Sequence, residues 1–173
     1  EPVLLMLGDT LYHSSTNKHC ALQLIEAFET TNSVTLGLYP VNVKETSHFG
    51  IMSGVWEDKK ETVLRVTGLY EKPKPSYAEE YLGVRNSEGN REYCSVFGQY
   101  ILTSEVFEQL EADIQAADAN PDAHGEIELT SALDAVRARS GMYGIRLRGE
   151  RYDIGNPAAL TNTIAIYAMA DED

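Results

Sequence analysis

Cysteine is scarce in this 173-residue chain: the two present, Cys20 and Cys94, stand far apart with no CxxC spacing. Neither a zinc knuckle nor a disulfide framework is indicated. Basic residues are few as well, with 14 Lys and Arg against 27 Asp and Glu and a formal net charge of −13. No basic stripe could neutralise the phosphates of a duplex, which excludes a general nucleic-acid binder. A small phosphorylated ligand stays open, since one or two placed cations and a metal suffice. No apolar run nears the roughly 20 residues of a membrane helix, and the opening residues do not read as a signal peptide. GxGxxG, the Walker pattern, a GxSxG elbow, an HExxH helix and a cysteine with a histidine partner are all missing. His13, His19, His48 and His124 are scattered without ligand-like spacing. A cytoplasmic protein without nucleic-acid or membrane partners is expected.

What is there is ordinary for a globular domain: 43% hydrophobic and 24% charged residues, in a length that fits one domain with a single core. "EPVLLML" starts abruptly on an apolar strand, so residues upstream of Glu1 are expected, and the acidic tail 171–173 is expected to fray. Residues 2–7 read as a buried parallel strand ending at "GDT". Ala21, Leu24, Ile25 and Phe28 fall on one helical face. "SVTLGLYPV", "HFGIM" and "TVLRVTGLY" read as strands, followed by the extended "EKPKPS". Residues 77–93 suggest a short helix and a loop. "CSVFGQYIL" is a strand, "TSEVFEQLEADI" and "IELTSALDAVRA" are helices, "GMYGIRLRG" is a strand and "NPAALTNTIAIYAMA" a final helix. This alternation predicts an α/β protein whose mixed, mostly parallel sheet is flanked by helices, with no internal repeat or linker.

In open α/β sheets, ligands sit outside the carboxyl ends of strands. Asp9 follows a strand directly after Gly8, and Asp153 lies in "RYDIGN", where a strand gives way to a helix. Two such carboxylates could share one Mg²⁺, a hard cation that takes oxygen ligands together with substrate phosphates. Equally, each could be a plain turn or cap residue. Glu71 and Lys72 stand side by side before Pro73. In an extended segment neighbouring side chains diverge, so the two should not pair with each other. Sugar hydroxyls for Glu71 and a phosphate for Lys72 would satisfy both, as would a solvated turn. Gly50 and Gly98 are isolated strand glycines, the kind that mark a bulge, close approach of a ligand, or packing.

Taken in order, "EPVLLMLGDTL", "VTLGLYPVNVKETSHFGIM", "GLYEKPKPS", "VFGQYILTSEVFEQLE", "HGEIELTSALD" and "RYDIGNPAALTNT" resemble the bacterial-type UTP–glucose-1-phosphate uridylyltransferases, a group of sugar-nucleotide pyrophosphorylases. The resemblance covers nearly the whole chain and rests on E-K-P, G-E-I-x-L-T-x-A and Y/F-D-x-G-N in that order. It implies a Rossmann-like nucleotide-diphospho-sugar transferase fold, and in-line attack of a sugar 1-phosphate oxygen on the α-phosphorus of a nucleoside triphosphate. By resemblance, Asp9 and Asp153 hold Mg²⁺, Glu71 bonds sugar hydroxyls, Lys72 contacts the sugar phosphate, Gly50 and Gly98 lie near the sugar, and Glu126 is a further pocket residue.

Three departures qualify that picture. The family's G-x-G-T-R loop, which wraps the triphosphate and reads the base, has no counterpart here. About the first third of the usual protein is therefore expected to be absent, these residues forming the C-terminal two-thirds of one domain, with little turnover alone. Ser131 replaces the usual Asp of "LTDA" and could still cap a helix. "VRNSEGNREYCS" lengthens the loop after E-K-P. An exposed sheet edge leads to the expectation of a homo-oligomer. Another nucleotidyltransferase, such as a thymidylyltransferase, and a non-catalytic sugar-phosphate-binding module are the competing readings.

Overall fold

The computed structural model describes residues 1–119 and 126–170, of 169 and 170 the backbone alone; His124 and the tail 171–173 lie outside the described residues. The chain opens on β1 (Val3–Met6) and β2 (Thr10–Ser14). Helix α1 (Cys20–Thr31) follows, burying Cys20 and Leu24 and ending at Asn32, whose φ of 48° lets its N–H bond the Phe28 carbonyl at 2.7 Å. Strand β3 (Thr35–Val41) runs into a 3₁₀ segment, Val43–His48, started by a capping box of Asn42 and Glu45. Then come β4 (Ile51–Trp56), β5 (Val63–Tyr70), α2 (Pro75–Tyr81), β6 (Val84–Arg85) and β7 (Arg91–Leu102). The chain continues with α3 (Ser104–Ala119), α4 (Leu129–Ser140), β8 (Tyr143–Arg146), β9 (Gly149–Asp153) and α5 (Pro157–Ala170). No helix among the described residues is long and apolar enough to cross a membrane.

The main sheet runs β1-β7-β3-β8-β5-β4, and β4 pairs back onto β7 through Ile51 and Met52. Five strands, β7, β3, β8, β5 and β4, thus form a hydrogen-bonded ring. The α/β class with a mixed sheet and flanking helices holds, but "mostly parallel" does not. Among the described residues β3 and β8 pair in parallel while every other pairing is antiparallel. A continuous apolar run reports burial on both faces, which is usual in parallel sheets but does not encode strand direction. Residues 2–7 are a second correction: β1 pairs antiparallel to β7 and has no other neighbour among the described residues, leaving Val3 45% and Met6 44% exposed.

The two faces of the sheet are covered by different helices. Leu36, Leu38, Val96 and Tyr100 point toward Val106 of α3 and Leu133 and Val136 of α4. Phe97, Ile101 and Ile145 point the other way, onto Cys20 and Leu24 of α1. β7 bulges at Gly98, which has φ of +100°: Leu36 pairs with Tyr100 but Leu38 with Val96, an even shift of register that keeps the side-chain alternation. On the side away from β3, residues before this point pair with β6 and β4, and residues after it with β1. The neighbours β1 and β4 part at Gly98, and a cavity opens between them.

Candidate functional site

The cavity at this parting has a volume of about 780 Å³ and is lined by Asp9, Gly50, Glu71, Lys72, Gly98 and Asp153, among others. Six of the seven residues singled out in the sequence therefore line one cavity. The seventh, Glu126, is exposed and does not line it. Its motif contributes through Thr130 instead, whose hydroxyl donates to Glu71 Oε2 at 2.6 Å. Ser131 lies inside the first turn of α4, whose N-cap is Glu128, so it does not cap that helix. The "VRNSEGN" segment folds as a tight turn joining β6 to β7, with Asn86 Oδ1 accepting from the Asn90 N–H, and is not part of the cavity wall.

Glu71 and Lys72 correct the expectation that they diverge. Lys72 has φ of +42°, left-handed backbone that a non-glycine residue adopts at a cost of about 1–3 kcal/mol. The turn brings Lys72 Nζ to 3.5 Å from Glu71 Oε1, and the Lys72 N–H donates to the Phe49 carbonyl at 3.2 Å. The ammonium is mostly exposed, so the pair is weakly held and free to exchange for an anion. Behind Glu71 stands Gly50: a Cβ there would sit 3.5 Å from Glu71 Oε2 and 3.2 Å from Val96 Cγ2. Gly98 owes its identity to two causes. Its φ is left-handed, and an added Cβ would lie 2.6 Å from the Tyr12 hydroxyl, which donates to the Gly98 carbonyl at 2.7 Å.

A two-stranded ribbon, β2 with β9, carries the other wall. Its register sets Thr10 opposite Asp153, and the Ile154 N–H donates to the Asp9 carbonyl at 2.8 Å. Asp9 and Asp153 thus meet at one end of the ribbon: a Cβ on Gly155 would be 3.2 Å from Asp153 Oδ1 and 3.5 Å from Asp9 Oδ2. Asp153 Oδ1 also accepts from the Gly155 N–H at 2.7 Å, so this residue is both turn former and cavity acid. Asn156 caps α5, accepting from the Ala159 N–H at 2.9 Å. No group of three or more His, Cys, Asp or Glu able to hold a metal occurs among the described residues. Two carboxylates facing a cavity suit Mg²⁺, which keeps its remaining positions for water and phosphate oxygens.

Several residues of the site have no signal in a single sequence. The ribbon strands "TLYHS" and "GERYD" are short and polar. Tyr39 donates to Glu150 Oε2 at 2.6 Å; that bond, then burial, pushes its pKa up to about 12. Burial pushes Tyr100 up to about 12 and raises Tyr12. All three phenols are therefore neutral near pH 7.

A family model described as nucleotidyl transferase matches residues 1–169. A UTP–glucose-1-phosphate uridylyltransferase of Streptococcus pneumoniae serotype 4 is 31% identical over 171 residues, 98% of this chain and 51% of that protein. A UTP–glucose-1-phosphate uridylyltransferase 2 of Staphylococcus saprophyticus is 29% identical over 172 residues, 99% of this chain and 52% of that protein. A solved UDP-glucose pyrophosphorylase complexed with UDP-glucose shares the fold with a TM-score of 0.78 at 24% identity, covering 98% of this chain and 57% of the other. The chain spans about half the length of the curated relatives it matches.

Proposed function

The chain belongs to the nucleotidyl transferase family, and from that premise we propose that the protein forms a UDP-sugar and pyrophosphate from UTP and a sugar 1-phosphate. Glucose 1-phosphate is the proposed sugar substrate, after the names of the relatives. A phosphate oxygen of the sugar attacks the α-phosphorus of UTP, the bond from that phosphorus to the bridging oxygen breaks, and pyrophosphate carries away the electron pair. Such a transfer needs positioning and charge neutralisation more than a protein nucleophile. Glu71, steadied by Thr130, accepts hydrogen bonds from sugar hydroxyls, and Lys72 exchanges its weak contact with Glu71 for the sugar phosphate. Asp9 and Asp153 are the residues that would hold Mg²⁺, which supplies charge neutralisation at the phosphates.

The observation that carries this reading is convergence: residues from position 9 to position 153 line one cavity. Transfer itself is proposed for the protein as a whole, and sugar-phosphate binding for these residues. Little turnover is expected from the 173 residues alone, which contain no G-x-G-T-R loop. A cytoplasmic setting and self-association through the free edge of β1 belong to the same proposal. Titration calorimetry with glucose 1-phosphate tests it: Lys72→Ala should weaken binding by roughly 1.5–3 kcal/mol, the scale of a hydrogen bond to a charged group. Unchanged affinity takes Lys72 out of the site. Binding without pyrophosphate release from the protein supplied with its triphosphate loop, UTP and Mg²⁺ would favour a binding module over an enzyme.

A further inference from the structure

One cation on the cavity wall has no part in the reading above. We propose that Arg151 is a second anchor for the phosphate of the sugar 1-phosphate, acting with Lys72 in the same cavity. The inference rests on the sugar-phosphate reading and adds a residue to it. Arg151 is half-buried, and its guanidinium lies over the Phe49 ring, 4.0 Å from the centroid, and 5.5 Å from that of Tyr39. The Lys72 backbone N–H is bonded to the carbonyl of the same Phe49. Both cations line the cavity.

The partners of Arg151 are neutral. Its Nη1 donates to the Val96 carbonyl and its Nη2 to Ser95 Oγ at 3.0 Å. No carboxylate lies within ion-pair distance of it among the described residues. A half-buried charge without a counter-ion is costly. The planar fork is held by its two anchors and the Phe49 face, with N–H donors to spare. Such a group matches phosphate oxygens and loses little freedom on meeting them. A phosphate between Lys72 and Arg151 supplies the missing counter-charge.

The test titrates glucose 1-phosphate and, separately, pyrophosphate into the wild-type protein, Arg151→Gln and Lys72→Ala. Arg151→Gln removes the charge while leaving an amide able to donate to Val96. It is expected to weaken glucose 1-phosphate about tenfold, within the range of one charge-assisted hydrogen bond, with Arg151→Lys recovering part of the loss. Unchanged glucose 1-phosphate affinity in Arg151→Gln beside a weakened Lys72→Ala overturns the role of Arg151 alone. Unchanged affinity in both variants, or no binding by the wild type, overturns the sugar-phosphate reading with it. Loss of pyrophosphate binding without loss of glucose 1-phosphate binding also overturns the assignment, moving Arg151 to the leaving group. Should Arg151→Gln not fold, phenylglyoxal labelling of the wild type decides: glucose 1-phosphate must protect Arg151 and leave the exposed Arg85 reactive, and equal labelling with and without ligand overturns the proposal.

Discussion

The cavity lies between two regions that are held together by different forces. On one side, the ring of β7, β3, β8, β5 and β4 is closed by backbone hydrogen bonds and packed on both faces, with Phe97, Leu36, Leu38 and Met52 fully buried. On the other, the β2–β9 ribbon and α5 reach the ring through fewer contacts: Tyr12 packs on Phe97 and donates to Gly98, Tyr39 donates to Glu150, and Arg151 lies over Phe49 and donates to Val96 and Ser95. Leu160 and Ile164 of α5 remain exposed. Glu71 and Lys72 stand where the ring's own strands end, whereas Asp9 and Asp153 stand on the ribbon. Glu71 and Lys72 are therefore preset by the core, while the acid pair is held relative to them by fewer contacts.

The largest expected effect lies in the ring. Phe97→Ala should cost about 3–5 kcal/mol in denaturant unfolding; a loss below 1 kcal/mol would mean that the ring is as loosely packed as the ribbon. Gly98→Ala should cost about 1–3 kcal/mol, from left-handed backbone strain and the blocked approach of Tyr12. Here a double-mutant cycle is informative: in a Tyr12→Phe background the hydroxyl is gone and part of the cost should vanish. Strict additivity would show that the strain resides in the backbone alone. Asn156→Ala removes the α5 cap and should cost about 1 kcal/mol. That loss should appear as faster amide hydrogen exchange in α5 and β9, with β3 and β7 unchanged; uniform acceleration would make ribbon and ring one cooperative unit.

The smallest effect is one of pH. The folded state holds Tyr39 in its neutral form with a pKa of about 12 against an ordinary value of 10.0. Its contribution is thus present below pH 10 and lost as pH rises toward 12. Since Tyr39 ties β3 to Glu150 of β9, this loosening should be confined to the ribbon. Tyrosinate absorbance and exchange in β9 should report it, and Tyr39→Phe should abolish it. A wild-type ribbon that holds firm through that range would show the Tyr39–Glu150 bond to be incidental.

Much of the architecture was legible in residue order. Apolar periodicity marked α1, the buried strands and the later helices, because burial of one face is what such periodicity records. Asp9, Gly50, Glu71, Lys72, Gly98 and Asp153 were singled out through local patterns and resemblance, and they line one cavity. Strand direction was not legible, since an apolar run looks alike whichever way its neighbour points. Nor was the ribbon, whose strands are short and polar.

The linear order of residues settled the α/β class, the family and the identity of the polar groups at the strand ends, because those depend on side-chain chemistry and near-neighbour spacing. Tertiary structure alone decided which of them act together. The left-handed turn at Lys72 brings it to Glu71, the antiparallel register of β2 and β9 brings Asp9 to Asp153, and at the Gly98 bulge β1 and β4 part to leave space between them. Arg151 is the clearest case: the basic residue of "GERYD" becomes a cation without a counter-ion among the described residues only once Phe49, Ser95 and Val96 are folded around it. Contacts across so many positions are set by packing and pairing, for which single-sequence spacing carries no term.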